Sequence, residues 1–255
     1  MLIGCCCPIE SAHAAQAAGF DYIECTVVSL RPEEDDAEVA AILAEYNAAV
    51  LPVRAFNVFL PGDLKIVGPK VDQERIQRYL ESALARVRRT GAQIVVFGSG
   101  GARSIPDGFP RDEAVHQITN FLRTVADIAD YSELVVAIEP LNRRESNVIN
   151  SVAEAAELAK QVDRPSVRVL ADFYHMSEEH EPLGHLVRYK DWTVHVHLAD
   201  TGRHAPGTGQ YPYEQFAATL HQAGYAGMVS VECRWNDFTE EAPLAVEFLR
   251  RTFDS

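Results

Sequence analysis

The chain alternates short apolar runs with longer amphipathic segments from one end to the other. Leu2–Cys6, Tyr22–Val27, Val53–Phe59, Ile94–Gly98, Val135–Glu139, Val167–Asp172, Thr193–Leu198 and Met228–Glu232 have the length and the β-rich apolar make-up of strands. Between them, Ala37–Ala49, Gln73–Thr90, Asp112–Tyr131, Ser151–Val162, Pro212–Ala223 and Glu240–Phe253 read as amphipathic helices. Ser151-Val-Ala-Glu154 has the spacing of a capping box at a helix start. Gly91 and Gly224 stand where helices must end, just before the next strand. Eight strands alternating with helices predict an α/β fold with a closed parallel sheet, a (β/α)8 barrel, and 255 residues is the length such a barrel needs. No linker, low-complexity stretch or shift of composition divides the chain, so one domain is expected over residues 1–255. The longest irregular stretches, Gly62–Val71, Gly98–Pro110 and Ala199–Tyr211, all follow strands, where a barrel builds its functional face.

The last four strands share a feature at their ends. Apolar runs finish on Glu139, Asp172, His197 and Glu232, each able to bind a metal. A carboxylate or imidazole at a buried strand tip is costly to desolvate unless it is paired or coordinated. A single strand-end carboxylate often caps the next helix or joins an ion pair, but four consecutive strands making this choice point to a shared purpose. In a closed parallel barrel the tips converge, and three carboxylates brought together would repel one another unless a cation lay between them. The quartet therefore predicts one divalent metal site. Oxygen-rich coordination with one imidazole suits manganese, magnesium or cobalt better than a thiolate-type zinc site; manganese is the expected ion, with magnesium, cobalt or zinc as alternatives. His195 shares a face with His197 by strand periodicity, yet lies one step below the tip, and reads as a hydrogen-bonded interior histidine.

Charge and cysteine usage narrow the partners. Acidic residues outnumber Lys and Arg 37 to 23, a net charge of −14, which argues against a nucleic-acid partner. Five cysteines, three of them adjacent at Cys5–Cys7, do not make a disulfide framework and suggest a reducing compartment. No apolar run approaches the roughly 20 residues of a membrane span, so a soluble, cytoplasmic protein without a membrane partner is expected.

The second half of the chain resembles the xylose-isomerase-like sugar isomerase/epimerase superfamily, and within it the D-tagatose 3-epimerase and hydroxypyruvate isomerase group. The resemblance rests on Glu139-Pro-Leu-Asn142-Arg-Arg-Glu145, Asp172-Phe-Tyr-His175-Met, His195-Val-His197-Leu-Ala-Asp200 with Arg203, Pro206-Gly-Thr-Gly209, and Val231-Glu232. It implies that Glu139, Asp172, His197 and Glu232 are the metal ligands, and that Glu139 and Glu232 are also the acid–base carboxylates on opposite sides of a bound sugar. It further implies that Glu145, His175 and Arg203 contact substrate, and that the chain forms a homodimer or homotetramer. Fold relatives of the endonuclease IV type need extra histidines for three zinc ions. Here strand three ends Ala55-Phe56-Asn57 and strand four Val96-Phe97-Gly98, without them.

The implied chemistry is proton transfer on a sugar or hydroxyketone. Removing a proton beside a carbonyl leaves an enediolate, which a metal on the carbonyl and neighbouring hydroxyl oxygens stabilises. One carboxylate takes the proton and the other returns it. The same parts serve epimerisation, aldose–ketose isomerisation or, with loss of hydroxyl, an inosose- or dehydroshikimate-type dehydration; a non-catalytic sugar-binding barrel is a further alternative. The glycine-rich segment Gly98-Ser-Gly100-Gly101-Ala-Arg103 reads as a loop needing positive φ, or as a backbone and Arg103 grip on an anionic substrate group.

Overall fold

The computed structural model describes residues 1–131 and 133–254. Eight parallel strands close into a barrel in sequence order: β1 (Leu2–Cys6), β2 (Tyr22–Thr26), β3 (Val53–Asn57), β4 (Ile94–Phe97), β5 (Val135–Ile138), β6 (Val167–Asp172), β7 (Thr193–Leu198) and β8 (Met228–Val231), with β8 pairing back onto β1. The helices among the described residues are α1 (Ala12–Ala18), α2 (Asp36–Asn47), α3 (Gln73–Arg89), α4 (Gly100–Arg103), α5 (Arg111–Ala129), α6 (Val152–Val162), α7 (Phe173–Glu178), α8 (Gly184–Arg188), α9 (Tyr213–Gln222) and α10 (Phe238–Phe253).

Several strands stop a residue or two short of the predicted ends, so Glu139 and Glu232 lie just beyond β5 and β8. The pattern did not flag α1, α7 and α8. Helix α1 buries only alanines against the barrel, and after β6 the chain turns twice in pieces too short to show a helical period. The local stop and start signals act as read: Gly91 and Gly224 take φ of +79° and +72° just past α3 and α9. The Ser151 hydroxyl accepts the Glu154 amide at 3.1 Å, while the Glu154 carboxylate reaches back one residue further than in a standard box, to the Asn150 amide.

Strand alternation sorts the side chains. One set packs outward under the helices in the main core. The inner set is apolar at the bottom, where Ala55, Ile94, Val96, Ala137 and Leu170 form their own cluster. Two residues further along, the inner positions turn polar: Glu24, Asn57, Glu139, Asp172, His197 and Glu232. Tyr22 crosses the barrel interior because Gly4 faces it; a Cβ at position 4 would lie 2.2 Å from the Tyr22 ring. The polar layer thus rests on an apolar floor interrupted by the buried Tyr22, His195 and Ser230, and it opens at the C-terminal ends of the strands.

Candidate metal and active site

The structure brings the four predicted metal-binding side chains together. One ligand atom each from Glu139, Asp172, His197 and Glu232 lies within 4.8 Å of the other three. Strand pairing forces this convergence: Asp172 pairs with His197 in the β6–β7 register, and β8 delivers Glu232 beside them. Nδ1 of His197 is 3.4 Å from Oε1 of Glu139 and 3.7 Å from Oε2 of Glu232. Both Nδ1 of His197 and Oε1 of Glu139 are buried without a hydrogen-bond partner. Buried polar atoms are normally satisfied, so two orphaned ligand atoms facing one gap fit a cation there. Three carboxylates and one imidazole are a suitable donor set for a hard or borderline divalent ion.

The electrostatics separate the two acid–base candidates. Burial raises the Glu139 carboxyl above its usual 4.5, an effect the Glu232 charge reinforces and His197 opposes. For Glu232 burial is outweighed by His197 and Arg203, which hold its carboxyl at about 2. Burial would lower the His197 imidazole, but Glu24, Glu139 and Glu232 raise it well above 6.5.

Glu24, on β2, escaped the sequence reading. It is fully buried and accepts three hydrogen bonds, from Nε2 of His195 at 2.8 Å, Nε2 of His197 at 2.9 Å and Oγ of Ser230 at 2.7 Å. Tyr22 completes the chain through a 2.8 Å hydroxyl contact with Ser230. Because a carboxylate can only accept, His197 donates from Nε2, and its Nδ1 faces the quartet, where it offers a lone pair once it gives up its own proton. His195 is the interior hydrogen-bonded histidine expected. The available signal for Glu24 was one acid inside the apolar run Tyr22–Val27.

Glu145, His175 and Arg203, predicted to contact substrate, surround the quartet. Arg203 donates to Glu232, spans to Glu145 at 3.2 Å and lies over the Tyr174 ring at 5.1 Å. His175 accepts the Asn142 amide on Nδ1 at 3.1 Å, so its proton is on Nε2, 3.8 Å from Oδ2 of Asp172 and otherwise unpartnered. Asn57, at the tip of β3, donates to Oε1 of Glu232 at 3.2 Å. From the quartet a cleft of about 750 Å³ runs over the tips of β1–β3, lined by Cys6, Glu24, Ser29, Tyr46, Asn57 and Glu232 among others.

A family model of xylose isomerase-like TIM barrels matches residues 12–252. This chain belongs to that family. Among its relatives is a 3-dehydro-D-guloside 4-epimerase of Escherichia coli (strain K12), 33% identical over 63% of this chain and 63% of the relative. Another is a D-psicose 3-epimerase of Ruminiclostridium cellulolyticum, 33% identical over 44% of this chain and 38% of the relative. The matched stretches thus span less than two thirds of these curated relatives. A D-psicose 3-epimerase structure determined with D-fructose superposes with a TM-score of 0.87 over 100% of both chains at 21% identity, which speaks to the fold.

Within this xylose isomerase-like barrel the glycine-rich segment after β4 has its positive φ at a serine rather than at a glycine, and its arginine is not the predicted grip on a substrate anion. Gly98, Gly100 and Gly101 do not take positive φ; Ser99 does, at 22°. Gly98 is needed for space, since a Cβ there would lie 2.0 Å from Oε2 of Glu139. Arg103 does not face a substrate. It is fully buried and donates to the backbone carbonyls of Phe97 at 2.8 Å and Glu139 at 2.7 Å. Burial pulls its pKa down to about 10. The segment is a brace behind Glu139. No helix among the described residues is long and apolar enough to cross a membrane.

Proposed function

We propose that this chain is a divalent-metal-dependent isomerase or epimerase of sugars or sugar-like hydroxyketones. The observation that carries the reading is the pair Glu139 and Glu232, both within reach of the orphaned His197 Nδ1 and both part of the converging quartet. Two carboxyl groups at one site can take a proton from a substrate and return one. The relatives named above are, by their names, epimerases of 3-dehydro-D-guloside and D-psicose, which supports a sugar as the substrate.

Glu139, Asp172, His197 and Glu232 would hold the ion, with manganese expected. Bound there, a divalent cation supplies Lewis-acid polarisation of a substrate carbonyl and neighbouring hydroxyl. The chain's own residues do the rest. Glu232, ionised, takes a proton from the carbon beside the carbonyl, and the Glu139 carboxyl delivers one from the other side; the reverse reaction exchanges their roles. Arg203 keeps Glu232 ionised until substrate displaces the contact. Nε2–H of His175 is a fixed donor for a substrate oxygen, and Glu145 holds Arg203 in register. The apolar floor beneath the site keeps water from the deep side.

The test is solvent exchange. In deuterated water with Mn²⁺ and a panel of ketoses, inososes and hydroxypyruvate, a substrate should acquire deuterium and give a product of otherwise conserved composition. Glu139→Gln and Glu232→Gln should each slow turnover by about 10²–10⁴-fold. A product lacking one water would replace this reading with a dehydratase. Absence of exchange despite sugar binding would leave a binding barrel.

A further inference from the structure

Cys6, the last residue of β1, faces the same space from another side. Its sulfur, a ring nitrogen of His197 and a carboxylate oxygen of Glu232 also lie within 4.8 Å of one another, without Glu139 or Asp172. Cys6 is a free, half-buried thiol on the wall of the cleft. Nδ1 of His197 is fully buried and has no partner, and its Nε2 is committed to Glu24. One orphaned nitrogen is therefore offered to two competing sets of neighbours.

We propose that Cys6, His197 and Glu232 form a second, thiolate-bearing ligand set that captures soft and borderline cations such as Cd²⁺ or Zn²⁺ and so inhibits the enzyme. Thiolate with imidazole selects such ions, whereas the oxygen-rich quartet suits harder ones. The sets share His197 and Glu232, so they exclude each other. Binding forms a sulfur–metal and a nitrogen–metal bond and releases two protons to solvent, one from the Cys6 thiol and one from Nδ1 of His197. It also draws Glu232 away from proton transfer. Capture of the ion does not require the quartet to be the resident metal site, while the inhibition rests on the role proposed above for Glu232.

The test uses the full chain stripped of metal by chelation and titrated with CdCl₂. Wild type should develop a near-ultraviolet thiolate-to-metal charge-transfer band saturating at one ion per chain. Cys7→Ser and Cys233→Ser should keep it. Cys6→Ser should lose it and weaken Cd²⁺ binding by about tenfold or more, since even outer partners of a metal site are worth that much. Cys6→Ala, checked by circular dichroism for an intact fold, should behave like Cys6→Ser. No band in wild type, or a band of undiminished strength in both Cys6 variants, overturns the proposal. Glu139→Gln should keep the Cd²⁺ band while losing Mn²⁺ affinity, read by the paramagnetic resonance of free Mn²⁺. Loss of the band in that variant also overturns the proposal. A kept band with unchanged Mn²⁺ affinity supports the thiolate set and removes the quartet instead.

Discussion

A single methyl group is enough to test how Glu139 is placed. At position 98 it would overlap the Glu139 carboxylate, and the neighbouring backbone leaves the side chain to move. Gly98→Ala should therefore lower turnover by about 100-fold, the scale of an ångström-sized misplacement. Denaturation should show a cost of about 1–3 kcal/mol, as for other overpacked sites. Glu24 makes the complementary case, a buried charge held by its partners. Burial raises its carboxyl, but the His197 charge and the hydrogen bonds from both histidines bring it well below the usual 4.5. The folded chain thus holds fewer protons on Glu24 than the unfolded chain, so this stabilisation is full above pH 4.5 and is lost as the pH falls through the lowered value. The His197 share has the opposite sign: it is full below 6.5 and fades as the pH rises through the raised value. Urea midpoints of metal-free protein should accordingly be greatest between these limits. Glu24→Gln should flatten that profile and cost about 3–5 kcal/mol, the penalty for breaking a buried ion pair.

Elements are set by signals of different reach. Ser151 caps α6 through a bond three residues away, and Ser151→Ala should cost about 1 kcal/mol in thermal unfolding. Such a motif is legible in sequence because both partners lie within one turn. Arg103 is the opposite. The one-turn helix α4 buries its guanidinium against the carbonyl ends of β4 and β5, contacts of 6 and 36 residues' separation. Nothing in Gly98–Arg103 announces a brace, and an arginine beside glycines on the functional face invites an anion-binding reading. Arg103→Leu should leave the Phe97 carbonyl with the Glu139 amide alone and take from the second buried carbonyl the donor that Arg103 supplies, at about 1–3 kcal/mol for that lost bond, visible as a lower urea midpoint. Because the second carbonyl belongs to Glu139, turnover should fall more than substrate affinity, which distinguishes a positioning residue from a substrate anchor.

At the scale of the molecule, the cation and the fold should be linked. An ion that binds the folded chain alone stabilises it by about 2.7 kcal/mol at a hundred times its dissociation constant. For a chain of this size that corresponds to a rise of about 5–10 °C in Tm. Calorimetry with and without Mn²⁺ should show it in wild type, and Asp172→Asn should abolish most of it. The number, order and direction of the strands were determined by the sequence by itself, because strand and helix periods are local. Parallel closure then places the ends of β5–β8 at one mouth, so the quartet could be read from Glu139, Asp172, His197 and Glu232 before any coordinates. Which nitrogen of His197 faces the quartet, that Glu24 lies behind it, that Cys6 competes from β1 and that Arg103 points inward were decided only by the tertiary structure. Glu24 and His197 are 173 positions apart and meet across the barrel. Their proton-sharing depends on distances of about 3 Å, which no pattern along the chain encodes.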